Sequence, residues 1–87
     1  MLDISEYKTK DIYLAATLIT RGFKQYYIQR NGRQCYFIFD QDGERNPQVE
    51  ADNYWMGNLL VDPKELFNSY KELKNRMFNE DENERLD

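Results

Sequence analysis

At 87 residues, 40% of them apolar and none histidine, the chain has the size of one small domain and lacks the commonest general base and the commonest metal ligand. A single Cys35 excludes an internal disulfide, and no apolar run approaches the ~20 residues that span a bilayer. The net charge of -4 resides in residues 79–87, where five acids stand against Arg85, so the body is close to neutral and lacks the basic excess that usually accompanies phosphate-backbone binding.

Residues 1–8 form a lead-in whose Leu2, Ile4 and Tyr7 suit either an extended strand along a sheet or a packed arm. It has neither the basic nor the apolar region of a signal peptide, so a soluble cytoplasmic protein is expected. From Thr9 the pattern turns helical: Thr9 is the expected N-cap, and Ile12, Ala15, Ala16 and Ile19 follow the i, i+3, i+4, i+7 rule. A first helix is predicted over 10–21, closed by Gly22.

Phe23 to Asp40 reads as a β-hairpin around Asn31-Gly32, because a type I′ turn needs positive φ at both central residues, which Gly adopts freely and Asn tolerates. Counting outward pairs Arg30 with Arg33, Ile28 with Cys35, and Tyr27 with Tyr36. One face then carries Tyr26, Ile28, Cys35, Phe37 and Phe39 towards the core, with Cys35 a small buried hydrophobe. The other carries Tyr27, Gln29, Gln34, Tyr36 and Ile38, half apolar and in want of a cover.

The loop 40–46 contains D-x-D-G-E, which faintly resembles a calcium loop but lacks the further oxygen ligands and the terminal Glu between two helices, so no metal is expected. Asn46-Pro47 starts a second helix that Gly57 stops, with Val49, Trp55, Met56 and Tyr54 as its expected buried side. The segment 58–61 is apolar and short enough for a brief strand. Asp62-Pro63-Lys64-Glu65 opens the third helix with cap, N1 proline and N3 glutamate. Leu66, Tyr70, Leu73 and Met77 form its apolar face, flanked by Phe67 and Phe78. Lys71, Lys74 and Arg76 interleave with Glu65 and Glu72, which predicts a solvated, salt-bridged outer face. The sum is an α+β domain over residues 1–78, a hairpin packed with three helices in the order α-β-β-α-α, with room for an extra short strand. Residues 79–87 read as an acidic disordered tail.

No nucleophile elbow, phosphate-binding loop, paired-cysteine or zinc-protease motif is present, so no enzyme and no cofactor are expected. Three surfaces invite ligands. Arg30 and Arg33 at the hairpin tip suit an anion or nucleic acid, or simply solubilise an exposed turn. Tyr27, Tyr36 and Ile38 suit base stacking, or burial in a two-fold homodimer, which needs no basic surround and is favoured. The acidic tail suits a basic partner surface.

The runs Tyr7-Lys8-Thr9-Lys10-Asp11-Ile12-Tyr13-Leu14-Ala15-Ala16, Gly22-Phe23, Tyr36-Phe37-Ile38-Phe39, Tyr54-Trp55-Met56-Gly57, Val61-Asp62-Pro63 and Lys71-Glu72-Leu73-Lys74-Asn75-Arg76-Met77-Phe78 together resemble a family of short, stand-alone proteins of unknown function from bacteria, phages and other mobile elements. The resemblance covers Tyr7 to Phe78. It implies a self-contained module with the acidic end outside the shared pattern, and it transfers no catalytic or binding residue. The functional expectation is a non-enzymatic interaction module, a homodimer that binds another protein and modulates or inhibits a host system. A nucleic-acid-binding module is the alternative, and capture of a small anion between protomers is the weaker third.

Overall fold

The computed structural model describes residues 6–41 and 45–77, together with the backbone of the last helix through Leu86. Leu2, Ile4, Asp42 and Glu44 of the calcium-like loop, and Asp87 lie outside the described residues. The fold is α+β, in the order β1 (Tyr7–Thr9), α1 (Ile12–Thr20), β2 (Tyr26–Asn31), β3 (Gln34–Phe39), α2 (Pro47–Trp55) and α3 (Pro63–Leu86). The three strands form one antiparallel sheet in the order β1-β3-β2, so the lead-in is a strand that pairs with the second arm of the hairpin. No strand forms at 58–61.

The turn corrects the expected register. Asn31 pairs with Gln34, Arg30 with Cys35, Ile28 with Phe37 and Tyr27 with Ile38, so the central residues are Gly32-Arg33 rather than Asn31-Gly32. Gly32 has φ 65°, and among the described residues no non-glycine adopts positive φ. That is the demand of a turn with glycine first, as in type II′, not of type I′. The slide is two residues, and side chains alternate with period two, so both predicted faces survive. Phe37 and Phe39 are buried, with Tyr26, Ile28 and Cys35 packed against them.

Asp11, not Thr9, caps α1: its Oδ1 accepts from the Tyr13 and Leu14 amides at 2.9 and 3.2 Å. Thr9 ends β1 opposite Phe37 and its hydroxyl accepts from the Asp11 amide at 3.1 Å, which makes the strand-to-helix corner. At the other end Gly22, with φ 108°, donates to the Ile19 carbonyl and Phe23 to the Leu18 carbonyl, the paired bonds of a Schellman cap. The cap delivers Phe23 into the core beside Leu18. Every residue from Leu14 to Ile19 is buried, and Leu14, Ala15, Leu18 and Ile19 meet Phe37 and Phe39 of the sheet, Ala51 of α2 and Leu73 of α3.

α2 turns differently from its prediction. Pro47 and Ala51 are its buried residues and Tyr54 is half-buried, whereas Val49, Trp55 and Met56 are exposed. Pro47, Ala51 and Tyr54 stand at i, i+4 and i+7, so they define one stripe, and small Ala51 lets α2 approach α1 closely. Asp62 Oδ2 accepts from the Glu65 amide at 3.0 Å at the start of α3. α3 has no Gly or Pro after Pro63 and is bounded by Pro63 and Leu86, while the side chains of 78–87, among them Phe78 and the acidic stretch expected to be a disordered tail, lie outside the described residues.

Candidate functional site

The predicted site residues fall in two places. At the hairpin tip Arg33 stands exposed in the turn, but Arg30 is half-buried on the helix side of the sheet, opposite Cys35. Its Nη2 donates to the Met77 carbonyl of α3 at 3.5 Å, so the two guanidinium groups do not face each other across the turn as the expected register implied. On the far face of the sheet, Ile38 is 4% exposed and Tyr27 46%. Lys8 of β1 lies opposite Ile38, and its Nζ sits 4.6 Å from the Tyr36 ring centroid. Part of the cover that this face wants therefore comes from β1 itself, through an ammonium over an aromatic ring.

A second site arises where α1, α2 and α3 meet. Tyr13, Ala16 and Thr17 of α1, Tyr54 of α2, and Leu66, Phe67 and Tyr70 of α3 line a cleft of about 300 Å³. Ala16 and Thr17 are short enough to leave it open, and the Thr17 hydroxyl donates to the Tyr13 carbonyl at 2.8 Å, which satisfies it within the helix and keeps the floor apolar. Tyr13 and Tyr70 stack with centroids 5.6 Å apart and planes within 7°. Tyr54 meets the neighbouring Trp55 edge-on at 4.9 Å. Tyr13 is 62% exposed and Phe67 65%, so two rings at the cleft are open to a partner. Burial first, and the Asp11 carboxylate second, push the Tyr54 hydroxyl above its ordinary pKa and keep it a neutral phenol.

The charges of α3, interleaved in the sequence, are sorted by the helix. Glu65 and Glu72 border a polar recess with Thr20, Lys24, Asn68 and Ser69, where the Thr20 hydroxyl donates to Ser69 Oγ at 2.9 Å. Lys64 and Lys71 stand three residues before and four after Phe67, and Lys74 Nζ lies 5.5 Å from the Tyr70 ring, so these lysines follow the cleft edge. Arg76 stacks its guanidinium over Tyr26 at 4.8 Å. Among the described residues the one ion pair is Arg21 to Glu50, at 2.9 Å, which ties the end of α1 to α2. The expected salt-bridged face is replaced by two separate edges. No group of three or more potential metal ligands and no helix long and apolar enough to cross a membrane occurs among the described residues.

Sequence reading missed the cleft. Phe67 was visible as a flanking residue of the third helix, but that Tyr13 faces it depends on α1 and α3 lying side by side, which no local pattern states.

The chain belongs to the family described as "Domain of unknown function (DUF5659)", whose model matches residues 5–79. That extent agrees closely with the Tyr7 to Phe78 resemblance and leaves the acidic residues 80–87 outside it. No curated protein matches the chain, and no solved structure does.

Proposed function

We propose that this chain is a non-catalytic protein-interaction module, of the size and character of a small modulator or inhibitor carried by a phage or other mobile element. One observation carries the reading: an apolar cleft bordered by the exposed rings of Tyr13 and Phe67. Single exposed apolar residues are ordinary on a protein surface, but a preformed apolar cleft with aromatic rims is the kind of pocket into which a partner's anchoring side chain is buried. The partner is a protein that inserts a large apolar side chain between α1 and α3.

The sheet-face homodimer draws less support, since Ile38 is already buried within one chain and Tyr27 alone of the three is well exposed. Nucleic-acid binding has exposed Arg33 and Tyr27 in its favour, and lacks Arg30, which turns to α3.

Affinity capture with the native chain and with a Tyr13→Ser, Phe67→Ser variant tests the cleft. A protein retained by the first and lost by the second, and then bound again as a purified component, supports the reading. Equal retention by both removes the cleft from it. A salt-sensitive gel shift with short DNA or RNA, unchanged in the variant, transfers the function to the nucleic-acid reading.

A further inference from the structure

Lys64, Phe67, Lys71 and Lys74 stand at spacings of three, four and three residues, so they share one stripe of α3, beside Leu66 and Tyr70 of the cleft wall. Glu65 and Glu72 lie away from this stripe, at the polar recess with Ser69. None of the three lysines has an acid three or four residues away in either direction, the spacing at which helical ion pairs form. All three are exposed, and among the described residues none makes an ion pair. The cleft itself has no charged side chain on its walls. Asp11, whose carboxylate acts on Tyr54, is held as the cap of α1 by the Tyr13 and Leu14 amides. On the α2 side the apolar ground extends to Trp55, which is 62% exposed and meets Tyr54 edge-on. An apolar cleft therefore has one aromatic rim and one basic rim whose charges nothing in the described chain answers.

We propose that the occupant of this surface is an acidic segment of another protein, with one large apolar side chain buried in the cleft and carboxylates on both sides of that anchor, over Lys64 in one direction and over Lys71 and Lys74 in the other. At about 1.5 Å of rise per residue, Lys64 lies about 4.5 Å before Phe67 along the helix, and Lys71 and Lys74 about 6 and 10.5 Å after it. The partner's acids accordingly fall within one or two helical turns of its anchor. A neutral or basic segment with the same anchor would leave three lysines unanswered beside a desolvated contact, so charge selects among partners that the apolar cleft alone would accept. The inference rests on the reading of the chain as an interaction module whose cleft takes an anchoring side chain, and it adds the chemistry of the partner.

Selection of random twelve-residue peptides displayed on phage against the full chain, followed by fluorescence anisotropy with the enriched peptides made synthetically, tests it. The enriched peptides are expected to hold a Trp, Phe or Leu with Asp or Glu on both sides of it, and to bind less tightly as salt rises. Lys64→Glu, Lys71→Glu, Lys74→Glu is expected to weaken their binding at least about tenfold and to bind instead the peptide whose acids are replaced by Lys. That exchange also shows that the reversed chain is folded, and the milder Lys64→Gln, Lys71→Gln, Lys74→Gln chain, expected to lose less affinity for the acidic peptide, serves if the reversed chain does not fold. Phe67→Ser is expected to weaken the acidic peptide on the native lysines. Enrichment of neutral or basic peptides, no enrichment at all, or displacement of the peptide by a single-stranded oligonucleotide at lower concentration than by unlabelled peptide each overturn the proposal. Binding that is lost in Tyr13→Ser, Phe67→Ser and indifferent to the lysines overturns the acidic partner alone and leaves the cleft reading in place. Binding that needs the lysines and ignores Phe67 overturns the anchored segment and removes the cleft from the module reading as well.

Discussion

Tyr13 of α1 and Tyr70 of α3 lie ring on ring, 5.6 Å between centroids and 7° between planes. The contact joins two helices that are otherwise held together around Leu73, and it lies at an open cleft rather than in the core. Stacked aromatic pairs contribute about 0.5–1.5 kcal/mol beyond the area they bury. A double-mutant cycle with Tyr13→Ala and Tyr70→Ala, read by urea denaturation, is therefore expected to give a coupling in that range. Additive losses would mean that the rings are neighbours without being partners.

Leu73 and Phe67 are both large apolar residues on α3, and the helix treats them in opposite ways. Leu73 is fully buried among α1 and sheet residues, while Phe67 is 65% exposed. Leu73→Ala is expected to cost about 2–5 kcal/mol, because it removes packed atoms and leaves a cavity. Phe67→Ser is expected to stay within about 0.5 kcal/mol, as surface changes do. Equal losses by chemical denaturation would make the cleft part of the core and remove its claim to a binding role.

Much of the core was readable from residue order. The 3.6-residue spacing of α1 and the alternation of β3 placed Ile19, Phe37 and Phe39 inside, because a periodic face is a local property. The turn shows how such reading fails without harm: Asn-Gly fits one two-residue turn and Gly-Arg another, and the faces are the same in either register. β1 adds what the hairpin alone does not supply, a third strand whose Thr9 faces Phe37 and whose Lys8 faces Ile38. Cross-strand NOEs are expected between Arg30 and Cys35 and between Ile28 and Phe37. NOEs joining Arg30 to Arg33 as a pair would restore the Asn31-Gly32 turn. The burial of α2 was not readable, since nine residues with Val, Tyr and Trp scattered among polar ones do not define a single stripe. The cleft was not readable either, because its walls come from three helices.

Tyr54 links the cleft to pH. Its hydroxyl titrates above the ordinary value of 10.0, chiefly because burial disfavours the phenolate, with Asp11 adding to the effect. The folded state therefore holds this proton more tightly than the unfolded chain does. Its stabilising contribution is fully present below pH 10.0 and is lost as pH rises through the window above it. Tyr54→Phe is expected to flatten the alkaline fall in stability above pH 10.0, measured by denaturant titration, by roughly the share of one tyrosine. An unchanged alkaline slope would show that Tyr54 is as free to ionise folded as unfolded.

Deleting residues 80–87 tests how much of the domain's stability lies within the family match. The segment is Glu80, Asp81, Glu82, Asn83, Glu84, Arg85, Leu86 and Asp87, with one apolar residue to contribute to a core, and it lies beyond the family match. Its loss is expected to leave the unfolding free energy of the dilute chain within about 0.5 kcal/mol. A truncated chain that loses cooperative unfolding even when dilute would show instead that the end of α3 belongs to the domain's own packing.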